Sequence, residues 1–122
     1  MIGILLVLHG SKVSEWVNTA IGYKELLKNY YELVEYGFLE INKPDIREAL
    51  EKLIKDGATK VVVVPLLFAA GTHFKKDIPE KLRIKDGKVN FNGKDIEVVI
   101  ADPLGVDKRI AEVLVDRIKS VI

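Results

Sequence analysis

Three observations predict an α/β domain built on a parallel sheet. Four β-type apolar runs, Ile2–Leu8, Tyr31–Leu39, Val61–Leu67 and Ile96–Ala101, alternate with amphipathic or polar stretches, the pattern of successive βα units. Three of the four are nearly continuous in Ile, Val and Leu, as strands covered by helices on both faces are. The only two histidines, His9 and His73, follow the first and third runs, at the carboxyl ends of strands, where ligands collect in such sheets. The expectation is a single domain over residues 1–122, with a four-stranded parallel sheet in the order 2-1-3-4 and helices on both faces. That order obeys the right-handed crossover rule.

Taken in order, Ile2–Leu8 reads as a buried first strand, and Glu15–Asn29 as the first helix. Tyr31–Leu39 alternates more than the other runs, with Leu33, Glu35 and Gly37 set against Val34, Tyr36 and Phe38, which predicts a strand at the sheet edge. Pro44–Asp56 reads as the second helix, with Pro44 at an early helical position, Gly57 as the stop, and Ile46, Ala49, Leu50, Leu53 and Ile54 on one face. A third helix starts within Thr72–Leu82 and is expected to be interrupted by Pro79. Arg83–Asp95 carries Asp86-Gly87 and Asn92-Gly93, both turn signals, and reads as a surface loop or short hairpin. Val106–Val121 closes the chain as a fourth helix, with Ile110, Val113, Leu114 and Ile118 at helical spacing. There is no internal repeat and no linker. A sheet this thin leaves an edge or face open to self-association, so a homodimer is expected.

At 48% hydrophobic and 30% charged, 122 residues can bury one core beneath a surface of mixed sign. Nineteen basic against eighteen acidic residues leave a net charge of +1, which offers no global field for nucleic acid. With no cysteine, disulfides, zinc knuckles and thiolate chemistry are excluded, leaving His, Asp and Glu as metal ligands. The apolar start before His9 is too short, and lacks the basic leader, for a signal peptide. No membrane association and a cytoplasmic location are therefore expected.

Two segments can carry chemistry. In His9-Gly10-Ser11, Gly10 permits a sharp turn and Ser11 can cap the following helix. Neither phosphate-loop pattern, GxxxxGK[ST] or GxGxxG, is present, and His9-Gly10-Ser11 is not the GxSxG elbow of a serine hydrolase. In the second segment, Phe68-Ala69-Ala70-Gly71-Thr72-His73, the small residues would let a flat ligand lie close to the main chain. Thr72 can cap the next helix, whose N–H groups attract anions, with Lys75 and Lys76 one turn on. Equally, the small residues can pack against a helix and the lysines form a solvated face. Glu40 and Lys43 would project onto the same edge, Glu40 as a base, a further ligand or a solvated strand end. A histidine at a strand end can also be a plain hydrogen-bonded loop residue. Two histidines at equivalent positions favour one shared site instead, and two imidazoles form an incomplete set for structural zinc, suited to a metal that is meant to leave.

These motifs together, HGS after the first strand, FLE at the end of the second before a Pro-led helix, VVVPLLFAAGTHFKKDIP, and DPLG before the last helix, resemble the short archaeal sirohydrochlorin cobaltochelatases of the class II chelatase family. The resemblance covers nearly the whole chain. It implies a homodimer of Rossmann-like subunits that inserts cobalt, or nickel in methanogens, into sirohydrochlorin without ATP and with no permanently bound cofactor. It places the metal on His9 and His73, with His9 also the catalytic proton acceptor, and the tetrapyrrole on Phe68, Ala69, Ala70, Gly71, Thr72, His73 and Lys43. One relative carries Glu at the position of Lys43. Some relatives carry a histidine-rich insertion where this chain has Arg83–Asp95. The alternatives are iron insertion into the same ring, a metal or tetrapyrrole carrier without turnover, and an interaction module of flavodoxin-like shape.

Overall fold

A computed structural model of the chain describes residues 1–69 and 71–122, the side chains of Thr72 and His73 apart. The elements run β1 (Ile2–Leu8), α1 (Glu15–Leu27), β2 (Leu33–Phe38), α2 (Ile46–Lys55), β3 (Lys60–Pro65), α3 (Thr72–Leu82), β4 (Lys88–Phe91), β5 (Lys94–Ile100) and α4 (Lys108–Lys119). They form a five-stranded sheet ordered β2-β1-β3-β5-β4. Its four parallel members are the four predicted runs in the predicted order, with β2 at an edge as its alternation implied. The correction is the fifth strand. Val89 alternates with polar neighbours in Lys88–Phe91, too short a signal to read as a strand, and the Asn92-Gly93 turn folds it antiparallel onto β5, with Asn92 at φ 50° and Gly93 at φ 83°. The hairpin reading of this segment holds.

Burial follows the pleat. On one face Leu5 and Val7 of β1 join Ile46, Ala49, Leu50 and Leu53 of α2 and Phe74, Ile78 and Leu82 of α3 in the larger core. On the other, Leu6 and Leu8 meet Ala20 of α1 and Phe38. Gly37 lets α2 approach β2: a Cβ there would stand 2.8 Å from the Ile46 Cα and 3.1 Å from the Asp45 carbonyl oxygen, both backbone atoms.

Three local expectations differ. Pro44 precedes α2, and Asp45 is its N-cap: the Asp45 carboxylate accepts from Glu48 N at 2.8 Å while Asp45 N donates to the Glu48 carboxylate at 3.2 Å, a full capping box. Pro79 does not interrupt α3. It removes one intrahelical bond, yet Phe74, Ile78 and Leu82, four apart, are buried, and that burial carries the helix across it. Gly71, not Thr72, is the N-cap of α3. α4 has the predicted apolar spacing and an Asp107 cap, whose carboxyl the Arg109 guanidinium holds down at about 2, but it buries none of its residues.

Gly37→Ala should destabilise the fold by about 1–3 kcal/mol, because the added methyl meets backbone that cannot rotate away. The check is a lower denaturant midpoint at unchanged slope.

Candidate functional site

The carboxyl ends of β1, β2, β3 and β5 lie on one edge of the sheet, and β1 sits between β2 and β3. His9 therefore leaves the sheet flanked by the β2–α2 loop on one side and the β3–α3 loop on the other. Pairing of β1 with β2 runs past the strands: Leu39 N donates to Leu8 O at 2.9 Å and Glu40 N to His9 O at 3.1 Å. This register brings the side chains together, with His9 Nε2 2.8 Å from Glu40 Oε1. Both remain about half exposed, at 56% and 55%.

The turn after His9 is possible only with glycine. Gly10 has φ 113°, and a Cβ there would fall 1.9 Å from the Glu40 carbonyl oxygen. Ser11 does not cap α1, as expected of it; its hydroxyl accepts from Val13 N at 3.1 Å, a local turn that ends before the helix starts. Lys43 Nζ lies 3.2 Å from the Glu48 carboxylate and 3.8 Å from that of Asp45. The hydrogen bond to Glu48 and its charge hold the Lys43 ammonium above its ordinary pKa, so this lysine stays cationic at the head of α2.

The β3–α3 segment is held from the far side. Leu104 N donates to Leu67 O at 2.8 Å and Gly105 N to Phe68 O at 2.7 Å, so the Asp102-Pro103-Leu104-Gly105 stretch is a backbone brace for this loop. Phe68 is held out with 64% of its surface exposed, beside exposed Ala69. Ala70 and the side chains of Thr72 and His73 lie outside the described residues; His73 is the second residue of α3, two and three positions before Lys75 and Lys76. Pro65, Phe74, Lys75, Ile78 and residues 100–103 line a cleft of about 320 Å³ at this edge. Among the described residues no group of three or more His, Asp or Glu converges on a metal position, so Glu40 is the one carboxylate placed beside His9.

The CbiX family model matches residues 3–121. The chain belongs to the CbiX family. It is 60% identical over 98% of its length to a sirohydrochlorin cobaltochelatase of Saccharolobus islandicus, covering 95% of that protein. It is 52% identical over its whole length to one from Sulfurisphaera tokodaii, again covering 95%. Among solved structures it is similar to a CbiX protein of Marinobacter aquaeolei described as a putative cobalamin biosynthesis protein (TM-score 0.74, 26% identity, 98% of this chain and 96% of that one). It also resembles the sirohydrochlorin chelatase SirB of Bacillus subtilis, solved with cobalt (TM-score 0.79, 30% identity), 98% of this chain matching 50% of that one. SirB has further been solved with Fe3+.

Of the residues the sequence singles out in this CbiX chain, the structure brings His9 and Glu40 together and leaves Phe68 exposed at the same edge, and it adds two loop-tying contacts, by Asn42 and Lys81, that the sequence does not flag. Asn42 Oδ1 accepts from Ser11 N at 2.7 Å, and Lys81 Nζ donates to Leu39 O, reaching from α3 to the end of β2. Neither has a local sequence signal, since both partners lie more than 30 residues away. Gly10→Ala should cost roughly 2–5 kcal/mol, the sum of a disfavoured backbone angle and a clash with backbone. An unfolding midpoint equal to that of the wild type would contradict this placement of the turn.

Proposed function

We propose that this chain inserts a divalent metal ion, cobalt or nickel, into sirohydrochlorin without ATP, with His9 and His73 holding the incoming metal. Membership of the CbiX family and the names of its archaeal relatives support the reaction. The observation that supports the role of His9 is the 2.8 Å contact of its Nε2 with Glu40; that of His73 rests on its place in the family motif. A carboxylate that accepts a hydrogen bond from Nε2–H fixes the tautomer in which Nδ1 keeps its lone pair for a metal, the arrangement by which metal-bound imidazoles are oriented. Imidazole suits cobalt and nickel, and two protein ligands leave positions open for ring nitrogens.

The exchange is balanced without a nucleotide. One divalent ion enters the macrocycle and two pyrrole protons leave. As the metal moves from His9 Nδ1 to the ring nitrogens, that lone pair is freed and accepts one proton, and the imidazolium so formed is paired with Glu40. The second proton passes to His73 or to water. Phe68 to His73 and Lys43 would carry the ring, with Lys75, Lys76 and the first N–H groups of α3 facing its carboxylates. Iron insertion is a second reading, favoured by the iron-bound SirB structure.

Metallation of sirohydrochlorin followed by its absorption, with cobalt, nickel and iron in turn, tests the proposal. His9→Ala should lower kcat by about 10²–10⁴ without rescue by more substrate. A Lys75→Ala, Lys76→Ala double variant should instead raise KM at nearly constant kcat, and added salt should mimic it. A protein that binds ring and metal yet metallates no faster than solution would be a carrier.

A homodimer completes the reading. α4 exposes Val113, Leu114, Val115 and Ile118, an amphipathic face that this chain leaves uncovered. SirB, of which this chain matches half, has room for two such domains in one polypeptide. Sedimentation should give a dimer for the wild type and a monomer for Leu114→Glu, Ile118→Glu; a monomeric wild type would end this reading.

A further inference from the structure

Glu40 is followed by a turn that the chain adopts at a cost. Ile41 has φ 69°, the left-handed region that a β-branched residue strongly disfavours. Asn42 N donates to Glu40 O at 2.8 Å, which closes a three-residue turn of the rare classic γ type. Ile41 is 62% exposed, so its own burial does not offset the strain. Such conformations persist where surrounding contacts over-determine them, and they cluster at functional sites.

The contact here is the Asn42 side chain. Its half-buried amide oxygen accepts from Ser11 N at 2.7 Å, joining the β2–α2 loop to the β1–α1 loop across 31 residues. Ser11 is two residues beyond His9, and Asn42 two beyond Glu40. On the strand side the same two loops are tied by the bond from Glu40 N to His9 O at 3.1 Å. The His9–Glu40 pair is thus held between two cross-loop bonds, with Gly10 pressed against the Glu40 carbonyl between them. Because the pair is half exposed, packing does not hold its geometry, and the backbone beneath it must.

We propose that Asn42 is a positioning residue of the metallation reaction, its amide oxygen clamping the turn after His9 to the strained turn after Glu40 so that the two side chains stay in hydrogen-bonding reach. It touches neither metal nor ring. The positioning role rests on the function proposed above; the clamp itself does not.

The test combines amide hydrogen exchange at Ser11, read by NMR, with steady-state cobalt insertion. Asn42→Ala should expose the Ser11 N–H and speed its exchange, while amides of β1 and β3 keep their protection, which separates a local release from a loss of fold. Its kcat should fall by about tenfold to a hundredfold at a KM close to wild type, the size expected of a small misplacement. Asn42→Asp keeps an acceptor oxygen and should restore both readings most of the way. Adding Ile41→Gly to Asn42→Ala should recover part of the lost kcat, because glycine holds a positive φ without the clamp. Wild-type kcat in Asn42→Ala, or Asn42→Asp as impaired as the alanine variant, would overturn the positioning role. A wild-type chain that metallates nothing would refute the proposed function instead, and unchanged Ser11 exchange in Asn42→Ala would then still overturn the clamp.

Discussion

Burial of β1 on both faces decides where the loops of this molecule leave the sheet. Leu5 and Val7 face α2 and α3 while Leu6 and Leu8 face α1, and all four are at most 2% exposed. Sliding such a strand by one residue would exchange the two faces, so its register against β2 and β3 is strongly specified. That register runs on to the pairing of His9 with Glu40. The contact at the edge follows from the apolar strand beneath it.

The edge itself is built differently from the core. Its charged groups are half exposed, and exposed pairs of this kind contribute about 0–1 kcal/mol to stability. The His9–Glu40 contact is therefore better understood as orientation than as cohesion. What holds the edge is backbone: the brace from Leu104 and Gly105 onto Leu67 and Phe68, the bond from Glu40 N to His9 O, and the Asn42 contact with Ser11 N. Elsewhere charge ties elements together, as where Glu35, 14% exposed, meets both Lys24 of α1 and Lys52 of α2.

The two ends of the chain contrast. α2 and α3 bury their apolar stripes in the larger core, whereas α4, with an equally clear stripe, buries nothing within the single chain. An amphipathic helix draws most of its stability from the surface it covers. A second copy of the chain, as proposed above, is the surface that would satisfy it. No helix among the described residues is long and apolar enough to cross a membrane.

The sequence by itself determined the parallel α/β architecture, the order of the four main strands and the placement of His9, Glu40 and Phe68 on one edge. Those follow from periodicity and from strand ends, which are local signals. Only the tertiary structure decided the rest. Pro79 stays helical because Phe74, Ile78 and Leu82 are buried around it, overriding a local preference to break. The hydroxyl of Ser11 turns to Val13 and Asp45 caps α2, because the path of each loop decides which side chain reaches a free N–H. Val89 became part of a fifth strand only by pairing with Ile96. The bond from Ser11 to Asn42 joins residues that are strangers in sequence, and distance along the chain hides it until the sheet brings the two loops together.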